Sequence, residues 1–441
     1  MSTESATDDP ESLSPRRFAM YLCVVVVLGA VVGVGAGLLS LLLYGIEKLA
    51  LGFVETSTQP GPFETDPVRR ILSVVVGSVI AAIVWWLLRT RSRPVPSVSK
   101  AVSGTPMPWW QTIVHVLLQI MIVGCGSSIG REVAPRELGA LMGQWFGRVV
   151  PVSEHDRRII VAVAAAAGLA GVYDAPLAGL FFVTEILVVG ASVTTAAVAL
   201  GASVVAAFVA SLIKGRHVFY DVAGLSTAYT PTILIFSLVA GMVFGLAGAL
   251  FRRASAIATG NRPTGSDILW MMPAAAVVTG LVALVVPQVM GNGRASAQLT
   301  LSLTSMTSPV GVVAATAALT FLAKAVVTLL TLRSGASGGV LQPGIALGMA
   351  LGTLLGCGWI MVMPGDSLAA CAVMGGAALL AASQKAPLMA MCLVFELVNA
   401  PMSLVVPVGL AVAVSSMVAH CVEPRLLRIE RNGTAAVSSE R

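Results

Sequence analysis

From Phe18 to Ile46 the chain carries no charged side chain. As a single helix rising 1.5 Å per residue, such a run would be ~43 Å long. No soluble domain offers a dry path of that length, whereas a bilayer takes ~20 apolar residues per helix. Further apolar runs cover 68–90, 109–129, 159–213, 230–251, 267–290, 310–332 and 344–421. Only 11% of residues are charged and the mean hydropathy is +0.90, against roughly 25% charged residues in soluble domains. The expected fold class is therefore all-α, a polytopic membrane protein. Several runs are too long for one straight span and others are interrupted by Gly and Pro. Tilted, broken or re-entrant helices are expected.

The first run begins at Arg16–Arg17, exceeds a signal-peptide core, and is followed by no cleavage-like site, so it reads as a retained helix. Residues 1–15 are polar and acidic and are expected to form a disordered cytoplasmic N-terminus. Residues 16–421 form the membrane domain, and 422–441 a short cytoplasmic tail. Basic clusters at Arg16–Arg17, Arg89/Arg91/Arg93, Lys214/Arg216, Arg252–Arg253 and Arg425/Arg428/Arg431 suit cytoplasmic loops and ends. Both termini are thus expected inside, with the chain in the cell inner membrane and no nucleic-acid partner. The six cysteines show no metal-like spacing. The histidines at 115, 155, 217 and 420 cluster nowhere in sequence, so no metal site is expected.

The block Ala-Pro-Leu followed by Glu recurs. Ala175-Pro176-Leu177 with Glu185 matches Ala386-Pro387-Leu388 with Glu396 at an offset of 211. Gly130, Gly139 and Gly143 likewise match Gly339, Gly348 and Gly352 at an offset of 209. Two ordered motif pairs at nearly one offset point to a duplicated chain, with halves at about 16–213 and 225–421. Duplicated transporters often hold substrate at mid-membrane, where broken helices aim their N-termini at an anion. Glycine-rich turns feed helices at 126–131 and 335–340. Their N-termini carry free N–H groups and about half a positive charge each. Inside one of these turns sits an acid, Glu132, beside Arg131, and intramembrane acids are functional by default.

Four segments, GSSIGREVAPRELGALMG (126–143), YDAPLAGLFFVTE (173–185), GASGGVLQPGIALGMALG (335–352) and KAPLMAMCLVFE (385–396), together resemble the CLC family of chloride channels and proton-coupled chloride transporters. The resemblance runs over about 17–425. It implies two inverted structural repeats of tilted and broken helices, and a homodimer with one pore per subunit. It also implies chloride or another small anion as ligand, no other cofactor, and no catalysis. The family's Gly-Arg-Glu-Gly-Pro motif corresponds to Gly130-Arg131-Glu132-Val133-Ala134, which makes Glu132 the gate. Its Gly-x-Phe-x-Pro motif corresponds to Gly339-Val340-Leu341-Gln342-Pro343, with the backbone N–H groups of Val340 and Leu341 expected at the anion. A carboxylate competing with chloride for the same helix ends makes a proton-sensitive gate, because protonation removes the competitor's charge.

Three positions depart from the family pattern. The serine motif has two placements: VSGTP (102–106) with Ser103, or SRPVP (92–96), where Arg93 replaces the serine; the second aligns more of the flanking sequence. The tyrosine of the last helix is absent, and Leu426 falls at or near its place. Glu185 is followed by Ile186 where many proton-coupled members carry a second acid. Glu185 is then a weak proton-relay candidate with a helix-end structural role as the alternative, and Ile186 cannot carry a proton. The family's C-terminal nucleotide-binding pair is missing, so no ATP regulation is expected. The expected function is a voltage-gated chloride channel or chloride transporter gated by protonation of Glu132. The alternatives are a proton/chloride antiporter or a carrier of nitrate or fluoride. A membrane-embedded enzyme would need a nucleophile–base pair or a motif such as His-Glu-x-x-His; the sequence has no His-Glu-x-x-His and its histidines cluster nowhere, so this reading is disfavoured. An organic-solute transporter is disfavoured by the paired glycine-rich turns.

Overall fold

In the computed structural model the charge-free run is one continuous span, Pro15–Ala50. It consists of α1 (Pro15–Cys23), a π-helical turn at Val24–Leu28, and α2 (Gly29–Ala50). The structure describes residues 14–439 except 217, 223–224, 226–228 and 306–307, and of 425–439 the backbone alone. The expected disordered segment 1–15 therefore lies outside the described residues up to Leu13. The first half continues with α3 (Pro67–Arg91), α4 (Val98–Val102), α5 (Trp109–Gly124), α6 (Val133–Val149), α7 (Glu154–Tyr173), α8 (Pro176–Phe182) and α9 (Val193–Lys214). The second half comprises α10 (Pro231–Gly260), α11 (Ile268–Val285), α12 (Arg294–Leu303), α13 (Val310–Arg333), α14 (Leu341–Val362), α15 (Leu368–Gln384), α16 (Pro387–Val398) and α17 (Val405–Ser439). The polar stretch expected as a short tail is helical, because α17 runs on through Pro424 to Ser439. Eight helices, with Pro15–Ala50 taken as one, are long and apolar enough to cross a membrane among the described residues. The run 159–213 is too long for one span and divides into α7, α8 and α9.

The duplication read from sequence is a duplication in space. Gly126 and Gly335, 209 positions apart, both take positive φ, at 101° and 107°, and open equivalent turns. Gly130 and Gly339 then pair as an antiparallel bridge, with N–H···O distances of 2.8 and 2.9 Å. Antiparallel pairing of two equivalent residues is what a two-fold axis between inverted halves generates. Helices α7 and α15 both end in a left-handed residue, Asp174 (φ 53°) and Lys385 (φ 57°). Ala-Pro follows each, and the proline takes the first turn of the next helix, where its missing N–H costs nothing.

Two further features obey the same axis. Both oxygens of Glu185 accept from backbone N–H groups of Leu388 and Met389, at 3.0 and 2.9 Å. Both oxygens of Glu396 accept from Leu177 and Ala178, at 2.8 and 2.9 Å. Each half thus caps the proline-led helix of the other. The repeated glycines explain the packing. A Cβ on Gly139 would lie 2.1 Å from the Ala164 carbonyl oxygen, and one on Gly348 2.3 Å from that of Gly375. Only glycine lets α6 meet α7, and α14 meet α15, backbone to backbone, the mode of close packing favoured in lipid. Helix α7 is consequently buried on every side from Ile159 to Tyr173.

Both ends of the bundle carry charge. The Lys214/Arg216 segment, expected on the cytoplasmic side, instead runs to Val218 and Phe219, whose carbonyls accept from Arg294 in the cluster beside the loop after α2. Arg16, Arg17, Arg89, Arg91 and Arg93 sit at one end. Arg252 and Lys385 both pair with Glu423, Lys385 Nζ at 2.6 Å. The far end holds Glu47 and the loop that follows α2. There Glu55, Asn292 and Arg294 form a buried cluster, with Asn292 Nδ2 3.1 Å from Glu55 and Arg294 Nε 3.7 Å from it.

Candidate anion pathway

Glu132 stands immediately before α6 and is completely buried. Its carboxylate does not turn back on its own helix. It crosses to the other repeat, where the Leu341 N–H donates to Oε1 at 2.6 Å. Leu341 begins α14, so the acid occupies the free amide end of that helix, where the aligned dipoles favour negative charge. The seat is tight. A Cβ on Gly130 would fall 2.2 Å from Oε2, and one on Gly339 1.9 Å from Oε1. The bridged glycines, one from each motif, form the floor on which the carboxylate rests. The repeat offset had singled out Gly130 and Gly339, and the family resemblance Glu132, Val340 and Leu341; the fold brings all five together.

One contact was not foreseen. The Tyr173 hydroxyl donates to Glu132 Oε2 at 3.3 Å. Tyr173 is the last residue of α7 and is 2% exposed. Its ring meets Phe219 edge-on at 5.5 Å, and Phe219 meets Tyr220 at 4.9 Å. Arg131 lies over the rings of Tyr173 and Phe219, at 5.5 and 5.7 Å from their centroids. It is 2% exposed, and its Nε and Nη1 have no hydrogen-bond partner among the described residues. A desolvated guanidinium on aromatic faces holds positive charge beside the seat without filling it. The only phenol hydroxyl bonded to Glu132 among the described residues is thus that of Tyr173, from the segment next to Asp174.

The other predicted residues disperse. Arg93 lines a cavity of about 260 Å³ at the basic end, together with Arg89, Arg262, Ser97, Val133 and Gly338. That cavity stops one residue short of Glu132 on α6 and one short of Gly339. Ser103 lines a separate cavity with Arg148 and Arg158. Of the two serine-motif placements, neither brings its residue to the seat; the cavity lined by Arg93 comes within one residue of it. The side chain of Leu426 lies outside the described residues. Glu185 is fully engaged as the cap of α16, and Ile186 is packed against the main apolar core.

The carboxylate thus sits at the amide end of a helix from the opposite repeat. The family description "Voltage gated chloride channel" matches residues 80–420. The chain belongs to this family. It is 28% identical over 341 residues to the voltage-gated ClC-type chloride channel ClcB of Citrobacter koseri, covering 75% of this chain and 80% of that protein. It is also 28% identical over 348 residues to the H(+)/Cl(-) exchange transporter ClcA of Klebsiella pneumoniae, covering 74% and 71%. Among solved structures, a slow cyanobacterial Cl-/H+ antiporter superposes with a TM-score of 0.79 at 21% identity, covering 96% of this chain and 99% of that one. A CLC-type fluoride/proton antiporter superposes at 0.69 with 19% identity, covering 94% and 98%. These two establish the shared fold. Relatives of both kinds, channel and exchanger, stand at the same distance from this chain.

Proposed function

We propose that this protein moves chloride across the bacterial inner membrane through a path that Glu132 closes, and that protonation of Glu132 opens it. The observation that carries the reading is the 2.6 Å bond from the Leu341 N–H to Glu132 Oε1. An ionised carboxylate and chloride seek the same donors. Protonation removes the carboxylate's charge and converts its best acceptor into a weaker one, and the side chain yields to the anion. The Val340 and Leu341 amides and the Tyr173 hydroxyl then face chloride. Arg131 supplies positive field from the outer side, and Arg93 gathers anions in the cavity on the basic side. Small anions such as nitrate or fluoride are the competing substrates.

The basic end faces the cytoplasm in this reading, with both termini on that side. The working unit is a homodimer. In support, α8, α9 and α16 leave Leu177, Val193, Phe208, Leu212 and Leu388 exposed on the described chain, Val193 at 88%. No enzymatic step is involved.

The test is chloride efflux from proteoliposomes under a chloride gradient, wild type beside Glu132→Gln. The amide cannot ionise, so the variant is expected to conduct with little dependence on pH, while wild-type flux falls as pH rises. Folded wild-type protein that moves no anion would refute the assignment.

A further inference from the structure

Glu132 is sealed from solvent, so any proton that reaches it must be delivered. The cavity on the basic side comes within one residue of it, since its wall includes Val133 and Gly338. Two titratable side chains, His115 and Glu137 from the 126–143 segment, share that wall. They come from different helices and meet, with His115 Nε2 at 3.7 Å from Glu137 Oε2. The imidazole is pinned in orientation, because the Trp85 Nε1–H donates to its Nδ1 at 2.9 Å. The neutral ring therefore carries its proton on Nε2, which points at the carboxylate. Glu137 is 5% exposed, and Gln119 Nε2 donates to the same Oε2 at 2.7 Å. Nothing among the described residues donates to the other oxygen, Oε1.

We propose that Glu137, positioned by His115, Trp85 and Gln119, is the group that passes protons between the basic-side cavity and Glu132. This rests on the gating reading of Glu132 and extends it. Glu137 lies five residues along α6 from the gate, about 7.5 Å of helix rise. Water molecules occupy about 30 Å³ each, so the cavity holds enough of them to cover that distance. The step is a proton transfer and balances as one. The Glu137 carboxylate takes H⁺ from cavity water, becomes the neutral acid, and releases H⁺ through water to the Glu132 carboxylate, which becomes neutral and leaves its seat. Glu137 returns to the carboxylate. The charged groups around the pair favour this assignment. Arg89 on α3 and Arg262 beyond α10 line the same cavity, and Arg136 precedes Glu137 on α6. The Arg89 and Arg262 guanidiniums, which share the cavity with His115, oppose a positive charge on the imidazole, so the mobile proton belongs to the carboxylate. Ile186 leaves the end of α8 without a protonatable side chain at that position, and Glu137 provides one on a different helix.

The test uses the full-length protein in liposomes with a chloride gradient, recording chloride and proton movement together. Wild type is expected to drive protons uphill. Glu137→Gln is expected to lose at least tenfold of the proton movement while chloride flux stays within about threefold, and Glu137→Asp to restore part of it. His115→Asn is expected to shift the dependence of proton movement on pH at the basic side only. An unchanged proton-to-chloride ratio in Glu137→Gln would overturn the proposal. So would loss of chloride flux in both Glu137 variants, which marks a structural role. Wild-type chloride flux without protons would also overturn it while leaving the gating role of Glu132 intact. Absence of chloride flux in folded wild type would refute the gating reading itself.

Discussion

Replacing Gly339 by alanine is expected to unseat the gate. The added methyl carbon would stand 1.9 Å from Glu132 Oε1 and 2.2 Å from its Cδ, where ordinary contact begins at 3.4 Å. The three nearest atoms all belong to the Glu132 side chain. The conflict is therefore relieved by moving one flexible group, and the fold is spared. That movement breaks the 2.6 Å bond from the Leu341 N–H. A hydrogen bond to a charged group contributes about 1.5–3 kcal/mol. At about 1.4 kcal/mol per decade, occupancy of the seat falls roughly 10- to 100-fold. Chloride efflux from proteoliposomes over a pH series reads the result. Wild-type flux should decline as pH rises and Glu132 ionises into its seat. Gly339→Ala should lose most of that decline and keep alkaline flux close to acid flux. Its half-saturating chloride concentration should rise, because the methyl also narrows the seat for an anion. A variant that folds normally and keeps the full wild-type decline would refute the idea that this seat is where the carboxylate blocks the path.

Tyr173→Phe removes only the long 3.3 Å contact to Glu132, so a loss of about 0.5–1.5 kcal/mol is expected. It should appear as a few-fold weaker chloride affinity with gating retained, measured by isothermal titration in detergent. Gly139→Ala places a carbon 2.1 Å from a backbone oxygen that cannot step aside, and a loss of about 1–3 kcal/mol is expected. Gly45→Ala meets nothing within 4 Å and should be neutral or slightly stabilising; the two melting temperatures in one detergent decide the comparison. Glu185→Gln and Glu396→Gln each weaken a pair of charge-assisted bonds, at a cost of about 1.5–3 kcal/mol. Their melting temperatures should fall by similar amounts, and a strong asymmetry would contradict the reciprocal capping.

The seat of Glu132 was legible in the sequence because its parts are local. Glu132 sits inside a glycine turn, and Gly339 sits inside the matching turn, so spacing alone pairs them. The glycine offsets were legible for the same reason: a backbone contact between neighbouring helices demands glycine at fixed positions in both repeats. The contacts of Tyr173 with Glu132 and of His115 with Glu137 were not legible, although Glu137 itself stands in the 126–143 segment. Each links a residue to one 22 to 41 positions away on another helix, and no periodicity encodes which faces of α5, α6 and α7 meet. The tyrosine was in view beside Ala-Pro-Leu, but its hydroxyl acquires a role only when α7 ends against the seat. Glu185 was read as either a relay or a structural acid, and the geometry fills both its oxygens with the amides of α16. The split of 159–213 into three helices likewise depends on Asp174 turning left-handed, which a hydropathy profile does not register.

The exchanged caps also set a timetable for biogenesis. Glu396 is synthesised 211 residues after Glu185, which at 5–20 residues per second is a delay of about 10–40 s. During that interval the amides of Leu177 and Ala178 already lie in the membrane with their acceptor unmade. The first half must wait beside the translocon in a provisional arrangement, its α8 end held by lipid, water or a chaperone. Assembly then closes in one late event when α16 arrives. A nascent chain halted before Glu396 should therefore be far more sensitive to membrane proteases than one halted shortly after α17.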